Sequence, residues 1–323
     1  MYDFGDIIGN EGIIRALKAA ILRDQVGHAY IFSGAAGCGK KLLALAFTKA
    51  ILCGSGNEDM PACNACASCK TLETGNHPDV VFVRPSKKSM GVDDIRQQVL
   101  ENAAIMPYSS SRRVFIIQNA DLMTVAAQNA LLKTLEDGPK HAVFILLAQN
   151  GGAFLPTIVS RCVTYKIPPL ADGAVQDYLA RQGDLAKRGI EQKVAKTAAA
   201  HAGGSIGRGM ALAADEGFML LHKAMSELAD ELDNKDIPGI FEAAKSLESH
   251  KEHISDALDM LALYYRGLMV SKCGADGLAY DYVKGAVQKI RAIDNARYRL
   301  SRNCNFLLTM EVMLLEMRHF AMN

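Results

Sequence analysis

Hydrophobic positions over the first 170 residues follow two rhythms. Short apolar runs at "HAYIFSG" (28–34), "DVVFVR" (79–84), "RVFII" (113–117), "AVFILLA" (142–148) and "CVTYKI" (162–167) predict strands. Between them, "KKLLALAFTKAIL" (40–52), "VDDIRQQVLENAAI" (92–105) and "VAAQNALLKTLED" (125–137) carry helical patterning. "EGIIRALKAAILR" (11–23) adds an amphipathic helix before the first strand. Strands of five to seven residues alternating with helices predict an α/β domain built on a parallel sheet covered on both faces.

The rhythm changes after "KIPPL" (166–170), where two prolines end the last strand. "GAVQDYLARQ" (173–182), "IEQKVAKTAAAHA" (190–202) and "IGRGMALAAD" (206–215) predict a small helical domain with a glycine turn, "GGS", inside it. Longer amphipathic helices follow, among them 253–270 and 297–322. The expected organisation is an α/β domain over 1–168, a helical domain over 169–216 and an all-helical domain over 217–323. Methionine-rich stripes in the last part suit a core, and an all-helical domain also suits assembly with other chains.

Composition narrows the function classes. A chain of 323 residues with 50% hydrophobic content builds two or three packed domains and is not a disordered protein. Its formal charge of +1 gives no global signal for a polyanion, so any nucleic-acid contact is local or made through partners. The opening "MYDFGDIIGNEG" lacks a basic segment leading into an apolar one, and "AVFILLA" is far shorter than the ~20 residues that span a bilayer. The expectation is a cytoplasmic protein without a membrane anchor. Of eight cysteines, Cys38, Cys162, Cys273 and Cys304 are scattered and read as small buried side chains.

The stretch "GAAGCGKK" (34–41) is nearly a phosphate-binding loop. Gly34, Gly37, Gly39 and Lys40 fit the pattern, so an anion could be cradled at the following helix N-terminus. Lys41 stands where a Ser or Thr hydroxyl would hold Mg²⁺, and an ammonium has no lone pair to offer. The partner strand should end in acidic residues, yet "VFIIQNAD" (114–121) supplies Gln118 and Asn119, which keep the size of the acids and lose their charge. Metal ligand, metal-linked carboxylate and base are all replaced. ATP hydrolysis is therefore not expected, while binding of ATP or ADP is left open.

The remaining cysteines, Cys53, Cys63, Cys66 and Cys69, fall in the spacing C-x9-C-x2-C-x2-C. Four thiolates in one short loop suit a tetrahedral, structural Zn²⁺ with no open position for water. A redox C-x-x-C pair or free thiols are the alternatives.

Taken together, the strand into the P-loop, the four-cysteine insertion, "NALLKTLED" (129–137) and "LPTIVSRC" (155–162) closely resemble the bacterial clamp-loader ATPases of the AAA+ class. The resemblance covers about the first 210 residues. It implies a RecA-like AAA+ domain with a zinc insertion, a small helical lid and a C-terminal helical collar. It also implies a five-subunit ring with gamma/tau and delta subunits that places a sliding clamp on primer-template DNA of DNA polymerase III. In that family the "SRC" arginine points into a neighbour's ATP site, a role that falls here on Arg161, between Ser160 and Cys162. Without the resemblance Arg161 is a surface residue after a helix. The family's motor subunits carry "GSLR" in the lid, where this chain has "GSIG" with Gly207 at the arginine position and Arg208 one residue late. "AQNGG" (148–152) keeps Gln149 and Asn150 but lacks the usual Thr. His28 precedes a strand and reads as structural.

The favoured reading is a non-hydrolysing structural subunit. An active motor ATPase of the same family is the second. A zinc-dependent DNA-binding module is the third, although "NEDMPACNACASCK" lacks Arg or aromatic residues for base contacts.

Overall fold

A computed structural model describes residues 2–57, 61–181, 192–272 and 279–319. Strands β1 (Ala29–Ser33), β2 (Val80–Val83), β3 (Arg113–Ile117), β4 (Ala142–Ala148) and β5 (Val163–Lys166) form one sheet in the order β2-β3-β4-β1-β5. Every neighbouring pair is parallel. All five apolar runs thus become strands, and the central β4 and its neighbour β1 are buried along their whole length. Side chains alternate between the faces. Tyr30, Phe32, Val143 and Ile145 join one apolar cluster, while Ala29, Ile31, Phe144 and Leu146 join the other.

Helices α1 (Glu11–Leu22), α2 (Lys40–Leu52) and α3 (Ala67–Glu73) serve the first cluster, in which Leu17, Phe47 and Leu72 are buried. Helix α2 is buried along its last ten residues, Thr48 and Lys49 included. The Lys49 ammonium is neutralised by the Glu73 carboxylate of α3 at 2.6 Å. Helix α4 begins at Val92–Ile95, passes through a π-helical turn at Arg96–Leu100 and ends with Glu101–Ala103, short of the expected 105. With α5 (Val125–Asp137) and the short α6 (Pro156–Val159) it covers the opposite face.

Helices α7 (Asp172–Arg181), α8 (Gln192–His201) and α9 (Ile206–Ala214) follow, and Gly203 and Gly204 make the turn between the last two at positive φ. Residues 182 and 190–191 of the expected helices lie outside the described residues. The internal contacts divide the chain into Met1–Met210 and Ala211–Asn323.

The second unit holds α10 (Glu216–Glu231), α11 (Ile237–Ser246), α12 (Ile254–Lys272), α13 (Ala279–Ser301) and α14 (Phe306–His319). Met225, Met260, Met310, Met313 and Met317 are buried in its core. The stretch 297–322, expected as one helix, is two over its described residues, 297–319. Asn303 takes a left-handed conformation, the Asn303 N–H bonds the Leu300 carbonyl, and the Cys304 N–H bonds that of Arg299. This is a Schellman stop, which satisfies the last carbonyls of α13. The Asn305 side chain then accepts the Leu308 N–H and starts α14. In that turn Cys304 is exposed, against the expectation of a buried thiol. Cys38 and Cys162 are half-buried, and Cys273 lies outside the described residues.

One buried carboxylate fixes the loop before β3. Asp79 accepts the backbone N–H groups of Ser109 and Ser110 at 2.9 Å and the Ser109 hydroxyl at 3.0 Å, and it also accepts the Tyr108 N–H. Burial pushes its pKa up, but these donors outweigh burial and hold the carboxyl below its ordinary range. A lowered native pKa means the stabilisation is complete above the unfolded value of about 3.9 and is lost as pH falls through the native value. Asp79→Asn should cost about 1–3 kcal/mol in denaturant unfolding at neutral pH, a difference that shrinks on acidification below about pH 4.

Candidate functional site

The loop between β1 and α2 lies at the carboxyl end of β1, the side of a parallel sheet that binds phosphate. Gly37 (φ 72°) and Gly39 (φ 93°) occupy left-handed backbone that disfavours side chains. A Cβ on Gly34 would stand 2.8 Å from the Ile167 carbonyl, so close approach requires that glycine. The three glycines and Lys40 are therefore brought together. The Lys40 ammonium does not stand free in the loop. It donates to the Gly34 and Ala35 carbonyls, each at 2.7 Å.

The next two carbonyls of the loop are taken by the start of α9. The Ser205 hydroxyl donates to Ala36 O at 2.8 Å, and the Gly207 N–H donates to Gly37 O at 3.0 Å. A Cβ on Gly207 would lie 2.9 Å from Gly37 Cα. The position that carries arginine in the motor pattern thus has no room for any side chain while this contact is made.

Beside the loop is a cavity of about 350 Å³ lined by Lys40, Lys41, Gln118, Asn119 and Gln149 among others. No carboxylate or hydroxyl is among its lining residues. That donor set offers Mg²⁺ neutral amide oxygens beside two ammonium groups, in place of the hydroxyl and carboxylate of a hydrolysing site. Asn119 holds a left-handed conformation at the end of β3, and the Gln118 amide nitrogen is buried without a partner. Asn150 turns its side chain onto the Gly152 N–H at 2.9 Å. His28 is exposed, and its carbonyl accepts the Phe144 N–H of β4.

The four clustered cysteines converge. Cys53 ends α2 and Cys66 caps α3, with Asn64 in left-handed backbone between Cys63 and Cys66. All four sulfurs lie within 4.8 Å of one another, and Cys53 Sγ stands 4.0 Å from Cys66 Sγ. Tetrahedral coordination at about 2.3 Å per sulfur requires S···S separations of roughly 3.8 Å, so the four fit a single ion. Backbone N–H groups already point at the sulfurs: Cys63 to Cys53 at 3.2 Å, Cys66 to Cys63 at 3.4 Å and Cys69 to Cys66 at 3.5 Å. Donors from Ala65 and Cys66 draw the Cys63 thiol down to about 6, while burial pushes those of Cys53 and Cys69 up. The group could hold a metal ion such as zinc.

Arg161 follows α6 and precedes β5, and it does not line the cavity. The register explains why. Tyr30 pairs with Val163 and Ser33 with Lys166, so the chain enters β5 at the edge where β1 begins. The phosphate loop leaves β1 at the opposite edge, roughly 15 Å away at about 3.3 Å per residue. The guanidinium is partly exposed, ion-paired with Glu136, and donates to Thr157 O at 3.0 Å and Ser160 Oγ at 3.2 Å. Its neighbour Cys162 turns inward, and burial pushes that thiol up to about 12.

Sequence reasoning missed the residue that holds this corner. Gln128 of α5 is buried, donates to Ala153 O at 3.1 Å and accepts the Leu155 N–H at 2.8 Å. It thereby fixes the backbone that enters α6. A polar residue amid "VAAQNALL" was the available signal.

A parallel sheet with a glycine loop of the phosphate-binding kind after β1 defines a P-loop α/β protein. The chain belongs to the family described as DNA polymerase III, delta subunit, which matches residues 9–171. It is similar to the DNA polymerase III subunit delta' of Bacillus subtilis, at 29% identity over 323 residues covering 94% of each chain. It is also similar to the subunit tau of Bacillus subtilis, at 33% identity over 267 residues, which is 80% of this chain and 45% of that protein. Against that second relative and the gamma/tau subunits of other bacteria, the chain spans less than half of the relative's length. A gamma subunit-related protein of Thermotoga maritima superposes with a TM-score of 0.46 at 19% identity, covering 95% of this chain and 98% of that one. So remote a likeness adds nothing to the topology above.

Purified chain should carry one zinc ion, measurable by elemental analysis. Cys66→Ser should lose that ion and lower the unfolding midpoint, because metal binding free energy is folding free energy. A metal-free wild-type chain of unchanged stability would contradict the assignment.

Proposed function

We propose that this chain is the non-hydrolysing, stator subunit of the DNA polymerase III clamp loader, a delta'-type accessory protein that helps place the sliding clamp on primer-template DNA. It would assemble with gamma/tau and delta subunits and donate Arg161 to the ATP site of a neighbouring motor subunit. The observation that carries the reading is the strand register: Arg161 leaves the sheet edge opposite the chain's own phosphate loop, so any phosphate it serves is on another chain. A guanidinium supplied in trans stabilises charge on the transferring phosphoryl group, an effect typically worth ~10³–10⁵ in rate. Gln128 and Thr157 hold the segment that presents it.

The chain's own cavity supports the non-hydrolysing part of the proposal. Lys41, Gln118 and Asn119 offer neither the hydroxyl nor the carboxylate that hold Mg²⁺ in a hydrolysing site, Lys40 is committed to loop carbonyls, and Gly207 replaces the lid arginine. Zn²⁺ in the cysteine cluster is structural, since four sulfurs leave no open coordination position.

The tau-subunit relative, similar over 80% of this chain, favours the alternative of an active motor. Mg²⁺-dependent phosphate release by the isolated chain separates the two. We expect none above background, and turnover at the rate of a motor subunit would overturn the stator reading. In a ring reconstituted with gamma/tau and delta subunits, Arg161→Ala should leave assembly intact and lower DNA-stimulated hydrolysis by about ten-fold or more. Unchanged hydrolysis would refute the role of Arg161.

A further inference from the structure

Glu136 occupies a costly place. It lies in the last turn of α5 next to Asp137, at the negative end of the helix, and that turn contains no basic residue. Two carboxylates there oppose the helix dipole. The cation that offsets them comes from outside the helix. Arg161 pairs its Nη2 with the Glu136 carboxylate, and its Nη1 is bonded to Thr157 O and Ser160 Oγ. Both terminal nitrogens of the guanidinium are thus occupied within this chain, although the two side chains are 34% and 43% exposed and open to a partner.

Recognition of a phosphate by arginine uses the same planar fork, with parallel N–H donors to two oxygens. Both hydrogens of Nη1 are already taken and Glu136 takes one of the two on Nη2, which leaves no free fork across the terminal nitrogens, and a carboxylate left beside the phosphate would repel it. We propose that Glu136 is a positioning residue that holds Arg161 in cis until the phosphate of a neighbouring subunit displaces it. This rests on Arg161 acting in trans. The hold is weak by construction. Exposed ion pairs of this kind shift an equilibrium by at most about five-fold, so the contact orders the free side chain and yields readily on docking.

The test is ATP hydrolysis by the complete ring, reconstituted with gamma/tau and delta subunits, without and with primed DNA. Glu136→Gln keeps size and helical character and removes the charge. It should raise the rate without DNA by about two- to five-fold and leave the DNA-stimulated rate unchanged, narrowing the stimulation ratio. Glu136→Asp, with a shorter reach, should act in the same direction. In an Arg161→Ala background Glu136→Gln should change neither rate, which a merely structural role would not predict. A rate without DNA that stays constant or falls in Glu136→Gln, or an effect that persists in the Arg161→Ala background, would overturn the proposal. If Arg161→Ala alone leaves hydrolysis untouched, the trans role of Arg161 fails first. If Arg161→Ala lowers hydrolysis while Glu136→Gln does not raise it, only the role of Glu136 fails.

Discussion

The parallel pairing of β1 with β5 is the constraint on which the rest depends. Ser33 opposite Lys166 puts the phosphate loop at one edge of the sheet, and Tyr30 opposite Val163 puts the approach from Arg161 at the other. An antiparallel β5 would have brought the arginine to its own loop. With parallel strands, one domain offers a pocket on one side and a cation on the other. The chemistry that each edge keeps then becomes independent: the loop's fittings can be lost while the arginine's supports are retained.

The loop itself is capped from within. Four successive carbonyls, from Gly34 to Gly37, are each capped by a donor of the same unit: Lys40 for two, Ser205 and Gly207 for the others. In a nucleotide-dependent subunit, closure of a lid on this loop is expected to follow the nucleotide. Here Gly37 and Gly207 approach so closely that neither tolerates a Cβ, and the helix that follows rests on the loop through one main-chain bond and the Ser205 hydroxyl. The glycine in "GSIG" is therefore more than a missing arginine. It permits the close approach of two backbones that a side chain at either position would block.

The fold was largely legible because its strands are short, fully apolar runs and its first glycine loop is placed by backbone conformation. The cysteine cluster was legible for a similar reason, since C-x2-C spacing leaves few geometries for four thiols. The parts that stayed hidden depend on long-range partners. Asp79, Gln128 and Glu136 are ordinary polar letters in their segments, and each acquires its role from backbone or side chains 25 or more residues away. The break at Asn303 was missed because apolar periodicity continues across it, whereas the decisive term is the left-handed tolerance of Asn and the capping by Asn305. Gly207 was read as a loss because sequence spacing cannot reveal that another glycine lies against it.

Helix α2 connects the two features that looked unrelated in the sequence. Its N-terminus is the phosphate loop, its C-terminus is Cys53, and its buried Lys49 is tied to Glu73 in the helix that Cys66 begins. Breaking a buried ion pair by losing one partner strands a charge in the interior, so α3 cannot leave without cost to α2. The Asn64 amide, within the cysteine turn, also bonds the Asp3 carboxylate near the chain's start at 2.8 Å. A metal held by the four sulfurs would thus brace the far end of the same rod whose near end is braced by Ser205 and Gly207. A helix restrained at both ends fixes the sheet strand it follows, and β1 is the strand whose register sets where Arg161 emerges. The cysteine module and the glycine loop thus restrain the two ends of one helix, and through it the strand that β5 pairs with.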